Sequence, residues 1–349
     1  MKTLILPLVS VVIVNYNGKK YLKECLQSLK NAEYKNIEIL LVDNGSSDDS
    51  LVYVRRYFPL VIIIELKENV GFAGGNNIGM KMAKGKYVLM LNNDTKADKN
   101  FIDELVNVFE HDVSVGAAQS KLLMMDDPTL LDSVGAFQTP IGFLYHYGYA
   151  KKNTAKYDKQ ITLYTAKGAC MMIRNDVLQK ILIDGDVFDS RYFAYFEETD
   201  LCHRIWLAGY RVVFVPTSVV LHKMGATSQQ MDNAFVQFHS FKNRIHSYVK
   251  NYSLVSLLFM LPIHLAVCMF YFFYMMVTKK KTVAIAIAKA IGWNIINVID
   301  TLRKRKIVQR IIRKRDDRAF FPTIVKYPPL RYYSLLTSSL QNFTDIDVE

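Results

Sequence analysis

Between Val9 and Asp94 the hydrophobic pattern switches repeatedly between two periods, and this alternation narrows the possible folds more than any other feature of the chain. Val9–Val14, Ile37–Val42, Leu60–Ile64 and Tyr87–Leu91 are short apolar runs bounded by Gly, Pro, Asn or Asp, as buried strands are. Between them, Lys19–Leu29 places Tyr21, Leu22, Cys25, Leu26 and Leu29 at helical spacing. Ser46-Ser47-Asp48-Asp49 offers capping oxygens for a second helix, and Gly71–Lys84 reads as a third. Strands separated by helices imply right-handed crossovers and a mainly parallel sheet with helices on both faces, a Rossmann-like α/β architecture.

Past Asp98 the pattern loosens. A helix is expected over Phe101–Phe109 and another over Phe193–Trp206, with short mixed strands near Val115–Met125 and Thr162–Arg174. Two further strands, Arg211–Val215 and Ser218–Leu221, are expected on either side of Pro216. The start, Met1-Lys2-Thr3-Leu4-Ile5-Leu6-Pro7, is leader-like, but its apolar run continues into Val9–Val14 without a small-residue cleavage site, so a first core strand is the expectation. Cys25, Cys170, Cys202 and Cys268 form no CxxC pair, which argues against a zinc or disulfide framework and fits a reducing compartment.

Charge divides the chain. The net +12 lies entirely in residues 239–349, which leaves residues 1–238 neutral. Asn251–Thr278 contains no Asp, Glu, Lys or Arg, is long enough to span a bilayer, and ends in Lys279-Lys280-Lys281. A second apolar run, Ala284–Ile299, leads into a basic cluster from Arg303 to Arg315. Cations before, between and after the runs fit a hairpin or a pair of interfacial helices on an anionic membrane surface, at the cytoplasmic face, better than a simple span; a buried core helix is the alternative. The expected organisation is a catalytic domain over 1–238 and a basic, apolar, helical membrane-associated region over 239–349.

Three clusters carry chemistry. Asn92-Asn93-Asp94 follows a buried strand, and ligands of open α/β sheets sit at strand carboxyl ends. Asp94 there suits Mg²⁺ or Mn²⁺ bound to a diphosphate, or else the three residues form a turn. Glu197-Glu198-Thr199-Asp200 crowds three carboxylates, as a site needing a base or cation would, or as a helix start would. His222 closes a third apolar run and is a plausible metal ligand once Asp94 is in view.

Taken in order, these clusters and their surroundings resemble the inverting nucleotide-sugar glycosyltransferases of family 2, which have the GT-A fold, and in particular their rhamnosyltransferase-like branch. The resemblance runs from Val9 to about Ser228. Its elements are Val11–Gly18, Leu41–Asp48, Asn69–Gly79, Leu91–Asp94, Gly168–Arg174, Phe188-Asp189, Phe196–Arg204 and Ala208–Val212. It implies that Asn15, Asn17, Asp43 and Asn44 contact base and ribose, and that Gly74, Asn76, Asn77 and Asn93 lie near the phosphates or sugar. It implies Asp94 as the acid of a DxD-type metal motif, with His222 as second ligand; Asn92 stands where many members have Asp. Glu198 matches the catalytic base, with Glu197 as its rival. No covalent intermediate is required.

The implied activity is transfer of a hexose, with dTDP-L-rhamnose the leading donor, to a lipid-linked or cell-surface saccharide. A Gln-x-x-Arg-Trp motif, expected of processive synthases, is missing around Trp206 and Trp293. A sugar nucleotidyltransferase or a non-catalytic membrane scaffold is the alternative. Gly71-Phe72-Ala73-Gly74-Gly75 is not the dinucleotide fingerprint. Nucleic acid is not an expected partner, because the basic tail is interwoven with bilayer-length apolar runs. Oligomeric state is not legible.

Overall fold

The computed structural model describes residues 6–223, 232–335 and 343–348; the leader-like Met1–Ile5 and the far end of the family resemblance at Ser228 lie outside the described residues. The first strands are apolar on both sides because both sides are covered. In β1 (Val9–Asn15), Val11 and Ile13 pack among Leu22, Cys25 and Leu26 of α1 (Lys19–Lys30), while Val12 faces the opposite layer. β2 (Ile37–Asp43) pairs parallel to β1; after α2 (Ser50–Tyr57), β3 (Ile62–Glu65) pairs parallel to β2. α3 (Gly71–Met82) then crosses back, and β4 (Tyr87–Leu91) lies parallel to β1 on its other side, buried along its whole length. Two glycines set how closely α3 approaches: a Cβ on Gly75 would come within 2.8 Å of Val14 and one on Gly79 within 2.4 Å of Val12.

The rest of the sheet is mixed. β5 (Thr95–Ala97) and α4 (Phe101–His111) precede β6 (Val115–Met124), β7 (Leu131–Ser133) and a hairpin of β8 (Ala136–Gln138) and β9 (Leu144–His146). β10 (Ile161–Leu163), β11 (Cys170–Arg174), α5 (Asn175–Lys180), α6 (Glu197–Leu207) and β12 (Arg211–His222) follow. The strand order is β10-β12-β6-β11-β4-β1-β2-β3, with β5 on β12 and β7 on β6. β12 and β6 are parallel, whereas β11 is antiparallel to both β4 and β6.

Two expectations are corrected. The helix expected from Phe193 begins only at Glu197, because Tyr195 and Phe196 adopt left-handed backbone angles (φ 69° and 72°) and turn the chain first. The two strands expected around Pro216 are one, β12. Its register against β6 shifts between Val215 and Val219, so Pro216 sits in a bulge where its missing N–H leaves no ladder bond unmade.

Beyond β12 lie α7 (Asn233–Asn251), α8 (Leu254–Val277), α9 (Lys281–Ile296) and α10 (Val298–Ile307), then short helices α11 (Phe321–Ile324) and α12 (Leu330–Leu335). Among the described residues, α8 is the single helix long and apolar enough to cross a membrane, and little of it is buried. α9 and the helix continuing from Val298 to Ile312 pass the same test only as a pair bent by 65°.

The division at 238 and 239 falls inside α7, and α7 is joined to the first part of the chain by buried ions. Asp189 accepts hydrogen bonds from His246 Nε2 (2.9 Å), Lys250 Nζ (2.6 Å) and Lys304 Nζ. Asp200 of α6 accepts from Arg204 (3.0 Å), Asn251 (2.8 Å) and Tyr192 (3.2 Å), and lies 3.1 Å from Lys250. The last described segment is tied in as well: Tyr145 and Tyr157 donate to the Asp345 carboxylate at 2.7 and 2.8 Å.

Burial opposes the charge on Asp189, but Lys250, His246 and Lys304 outweigh it and hold the carboxyl well below its ordinary range. The stability this lends is complete above the ordinary carboxylate value of about 4 and is lost as pH falls toward the depressed one. Lys250→Met, which leaves two buried carboxylates short of a cation, should cost about 3–5 kcal/mol. It should also flatten the acid limb of the stability profile. Urea unfolding in detergent across pH measures both; an unchanged midpoint would refute the role of the network.

Candidate active site

The carboxyl ends of β1, β2 and β4 converge on a polar cleft of about 580 Å³. Beneath its floor, amide side chains form a ladder. Asn15, fully buried, donates to Asp43 (3.1 Å) and accepts from Asn93 (2.8 Å). Asp43 in turn accepts from the Ser46 N–H (3.0 Å), closing the turn after β2. Gly18 lies against this ladder, where a Cβ would stand 2.1 Å from Asn93 Nδ2. Asn17, Asn44, Asn69, Asn93 and Asp94 line the cleft itself. Asn44 also fixes the entry to α3, accepting from the Val70 N–H (3.0 Å) and donating to the Gly71 carbonyl (3.0 Å).

Three residues expected near the phosphates or sugar are placed elsewhere. Asn76 donates to the Phe72 carbonyl of its own helix at 2.9 Å. Asn77 exchanges two 2.8 Å hydrogen bonds with the backbone of Phe188. Gly74 stands against Val70. None of the three lines the cleft; the small residues of α3 serve its packing on β1. Asn15 and Asp43 are under the floor rather than on it, buried to 0 and 1 % exposure.

Backbone pairing delivers the residues around Asp94. β5 opposes β12 so that Thr95 faces His222, and the Lys223 N–H donates to the Asp94 carbonyl (2.9 Å). This puts His222 Nε2 3.4 Å from Asp94 Oδ1, an oxygen that is buried and has no hydrogen-bond partner among the described residues. β7, paired with β6 beside β12, contributes Asp132, whose carboxylate binds His222 Nδ1 (2.8 Å) and Lys167 Nζ (2.6 Å). Burial opposes the charge on Asp132, yet Lys167 and His222 hold its pKa down to about 2. Burial opposes the charge on His222 too, and here Asp132 and Asp94 prevail and raise its pKa. With Nδ1 bound to Asp132, Nε2 has only long contacts, 3.4 Å each to Asn92 Nδ2 and Asp94 Oδ1, and is the nitrogen that can face a ligand.

An orphaned carboxylate oxygen beside an oriented imidazole fits a divalent cation that takes its remaining ligands from a diphosphate and water. Among the described residues no group of three or more His, Cys, Asp or Glu side chains is placed to hold a metal by itself.

Asp94, Asn92, Phe72 and Ala194 are shared with a second pocket of about 490 Å³. Its wall is the first turn of α6, with Glu197 and Glu198, and across from them Lys167, Ser240 and Arg244. Burial pushes the pKa of both glutamates up, and Glu197 is raised further by the charge of Glu198. Each keeps one buried oxygen without a hydrogen-bond partner. Glu197 is only 4 % exposed, whereas Glu198 is half-buried and its other oxygen, Oε1, lies beside Gly168. The left-handed pair Tyr195-Phe196 aims this turn, and Asn243 of α7 holds it, donating to the carbonyls of Ala194 (2.9 Å) and Tyr195 (2.6 Å).

The sequence reading missed Asp132, Lys167, Asn243 and Arg244. Lys167 directly precedes Gly168–Arg174, an element of the resemblance, so a signal lay one residue away. Nothing local marks the other three; they become visible only when strands and helices distant in sequence are brought together.

Residues 10–182 match the model of the family described as Glycosyl transferase family 2. An uncharacterized glycosyltransferase of Haemophilus influenzae is 34 % identical over 119 residues, which are 33 % of this chain and 37 % of that protein. The matched stretch is about a third of the length of the first such relatives. Among solved structures, the mannosyltransferase PcManGT from Pyrobaculum calidifontis in complex with GDP-Man and Mn²⁺ superposes with a TM-score of 0.52 at 16 % identity, covering 87 % of this chain and 81 % of that one. GalNAc-T7 with UDP, GalNAc and Mn²⁺ gives 0.55 at 17 % identity, covering 70 % and 48 %. The fold is GT-A, followed by a C-terminal helical region.

Asn243→Ala frees the carbonyls of Ala194 and Tyr195 and removes what holds the left-handed pair. Amides over 194–200, including the Asp200 N–H bonded to the Phe196 carbonyl, should exchange with deuterium about tenfold faster, the equivalent of ~1.4 kcal/mol of lost local stability. Wild-type protection in this segment would show that Asn243 does not hold the turn.

Proposed function

We propose that this chain, whose residues 10–182 carry a glycosyl transferase family 2 domain, is an inverting, non-processive glycosyltransferase working at the cytoplasmic face of the cell membrane. The observation that carries the reading is the pair of pockets meeting at Asp94, one floored by amides at the strand ends, the other walled by two glutamates of raised pKa. A nucleotide-diphosphate sugar, with dTDP-L-rhamnose the leading choice, occupies the first. A lipid-linked or cell-surface saccharide enters the second.

Asp94 and His222 are the residues to hold Mg²⁺ or Mn²⁺, and Asp132 orients His222. The cation, when bound, supplies positive charge to the departing diphosphate. Glu198 takes the proton of the acceptor hydroxyl as that oxygen attacks the anomeric carbon from the face opposite the diphosphate, inverting the centre in one displacement. Its raised pKa suits a base that must be charged before the step and hold a proton after it. Burial is what keeps that pKa high, against the pull of Lys167, and Glu197 is the more deeply buried of the two. Phe72 and Ala194, on the shared wall, help exclude water from the gap between donor and acceptor.

The membrane reading rests on α8, whose Leu254, Leu258, Phe259, Phe270, Phe273 and Val277 are exposed, and on Lys279, Lys280 and Lys281 at its end. Apolar burial would supply the binding energy, and each cation near an anionic surface about 1 kcal/mol more.

Thermal-shift titration against a panel of nucleotide sugars, with and without Mn²⁺, tests the donor site. Asp94→Ala should abolish metal-dependent stabilisation by any donor while leaving the unliganded melting temperature near wild type; an undiminished response sinks the metal assignment. Glu198→Gln should still bind donor and turn over about 10²–10⁴ slower. If Glu197→Gln shows that pattern instead, the base is Glu197. The full chain should float with liposomes containing anionic lipid, and a chain that stays soluble beside them at low salt counts against the membrane assignment.

A further inference from the structure

Two deeply buried arginines, Arg204 of α6 and Arg244 of α7, are treated very differently by their surroundings. Arg204 is fully buried, and its guanidinium is satisfied by Asp200 (3.0 Å) and by the carbonyls of Ile181 and Val187 (2.6 Å to the latter). Arg244 of α7 is 8 % exposed and has no carboxylate partner among the described residues. Its Nε has no hydrogen-bond partner, and one long contact to Ser240 Oγ, at 3.5 Å, serves its Nη2. Aromatic rings pack around it, with centroids 4.4 Å (Phe143), 5.2 Å (Phe196) and 5.7 Å (Phe241) from the guanidinium carbon.

Rings can cover the faces of a guanidinium, but they do not accept its in-plane N–H bonds. A charge kept out of water with donors unused is costly unless something else uses them. Arg244 lies on the wall of the pocket that also holds Glu197 and Glu198, so what completes it can enter from that pocket. The ring stacked most closely on it, Phe143, rests in turn on His264 of α8 at 5.2 Å between centroids, so the apolar helix backs this end of the pocket.

From this we infer that the second pocket contains an anion subsite, in which Arg244 grips a phosphate or carboxylate carried by the acceptor. The inference rests on the glycosyltransferase reading and narrows it: the acceptor is an acidic molecule that spans the pocket, with its reactive hydroxyl at Glu198 and its anionic group on the guanidinium. A planar fork of donors suits two oxygens of one such group. The aromatic cage holds the fork in place before the ligand arrives, so little side-chain freedom is lost on binding. A phosphate of a lipid carrier and the carboxylate of an acidic sugar share this chemistry.

Calorimetric titration of the full chain in detergent, with EDTA present so that no cation occupies Asp94 and His222, separates the possibilities. The probes are geranyl phosphate against geraniol, and glucuronate against glucose. Wild type should bind the anionic member of at least one pair about tenfold or more tighter than its neutral partner, and Arg244→Met should erase that preference. Preference within the geranyl pair identifies a lipid-borne phosphate; preference within the sugar pair identifies an acidic saccharide. Equal binding within both pairs, or a preference that survives in Arg244→Met, overturns the subsite. Should Arg244→Met fail to fold, Arg244→Lys decides: an ammonium cannot form the fork, so the preference should shrink about fivefold, and an unchanged one refutes the proposal. Failure of the glycosyltransferase reading would show separately, as absence of any nucleotide-sugar response in the thermal-shift panel.

Discussion

Two buried aspartates hold α6 and the C-terminal helices of this molecule together. Asp189 and Asp200 draw Lys250, Lys304, Arg204 and His246 into one network that crosses α6, α7 and α10. Alone, each of these charges would be a liability in the interior; together they are compensated, and the helix carrying Glu197 and Glu198 is fixed against the C-terminal helices as a result. The same α7 that supplies Lys250 supplies Asn243, which holds the left-handed turn ahead of α6, and Arg244 in the pocket wall. The second pocket is therefore a joint product of the sheet and the C-terminal helices.

This explains what could and could not be read from the sequence. β1 to β4, α1 and α3 announce themselves by local period, because each is a regular element: β1 and β4 are apolar runs buried in the sheet, and α1 buries Leu22, Cys25, Leu26 and Leu29 on one face and exposes its lysines on the other. The strand ends were legible for a related reason: Asp94 follows the wholly buried β4, and His222 ends β12. Pro216 misled, since a bulge and a break look alike in one dimension. The glycines and asparagines of α3 misled in another way. They match a motif associated with donor binding, yet Gly75 and Gly79 meet Val14 and Val12, and Asn76 and Asn77 spend their amides on backbone. Asp132, Asn243 and Arg244 carry no local mark. Their roles come from contacts with residues far away in sequence, and the division of charge at residue 238 concealed that α7 crosses it.

The cleft at the strand ends shows a different economy of polar groups. Asn15 and Asp43 beneath the floor are satisfied by each other and by Asn93 and Ser46 above them, so few donors and acceptors of the ladder are left over. Among the described residues, Asp94 Oδ1 and one oxygen each of Glu197 and Glu198 are the buried carboxylate atoms beside the two pockets that remain without hydrogen-bond partners. Satisfied groups give the cleft its shape, and unsatisfied ones mark where chemistry is to be done.

Because Asp94, Asn92, Phe72 and Ala194 belong to both pockets, a molecule seated in the first becomes part of the boundary of the second. If the chain is the transferase proposed above, the acceptor meets a complete surface only after the nucleotide sugar is in place. The kinetic signature is a compulsory sequence, donor on first and nucleotide off last, with the free nucleotide competing against the donor but not against the acceptor.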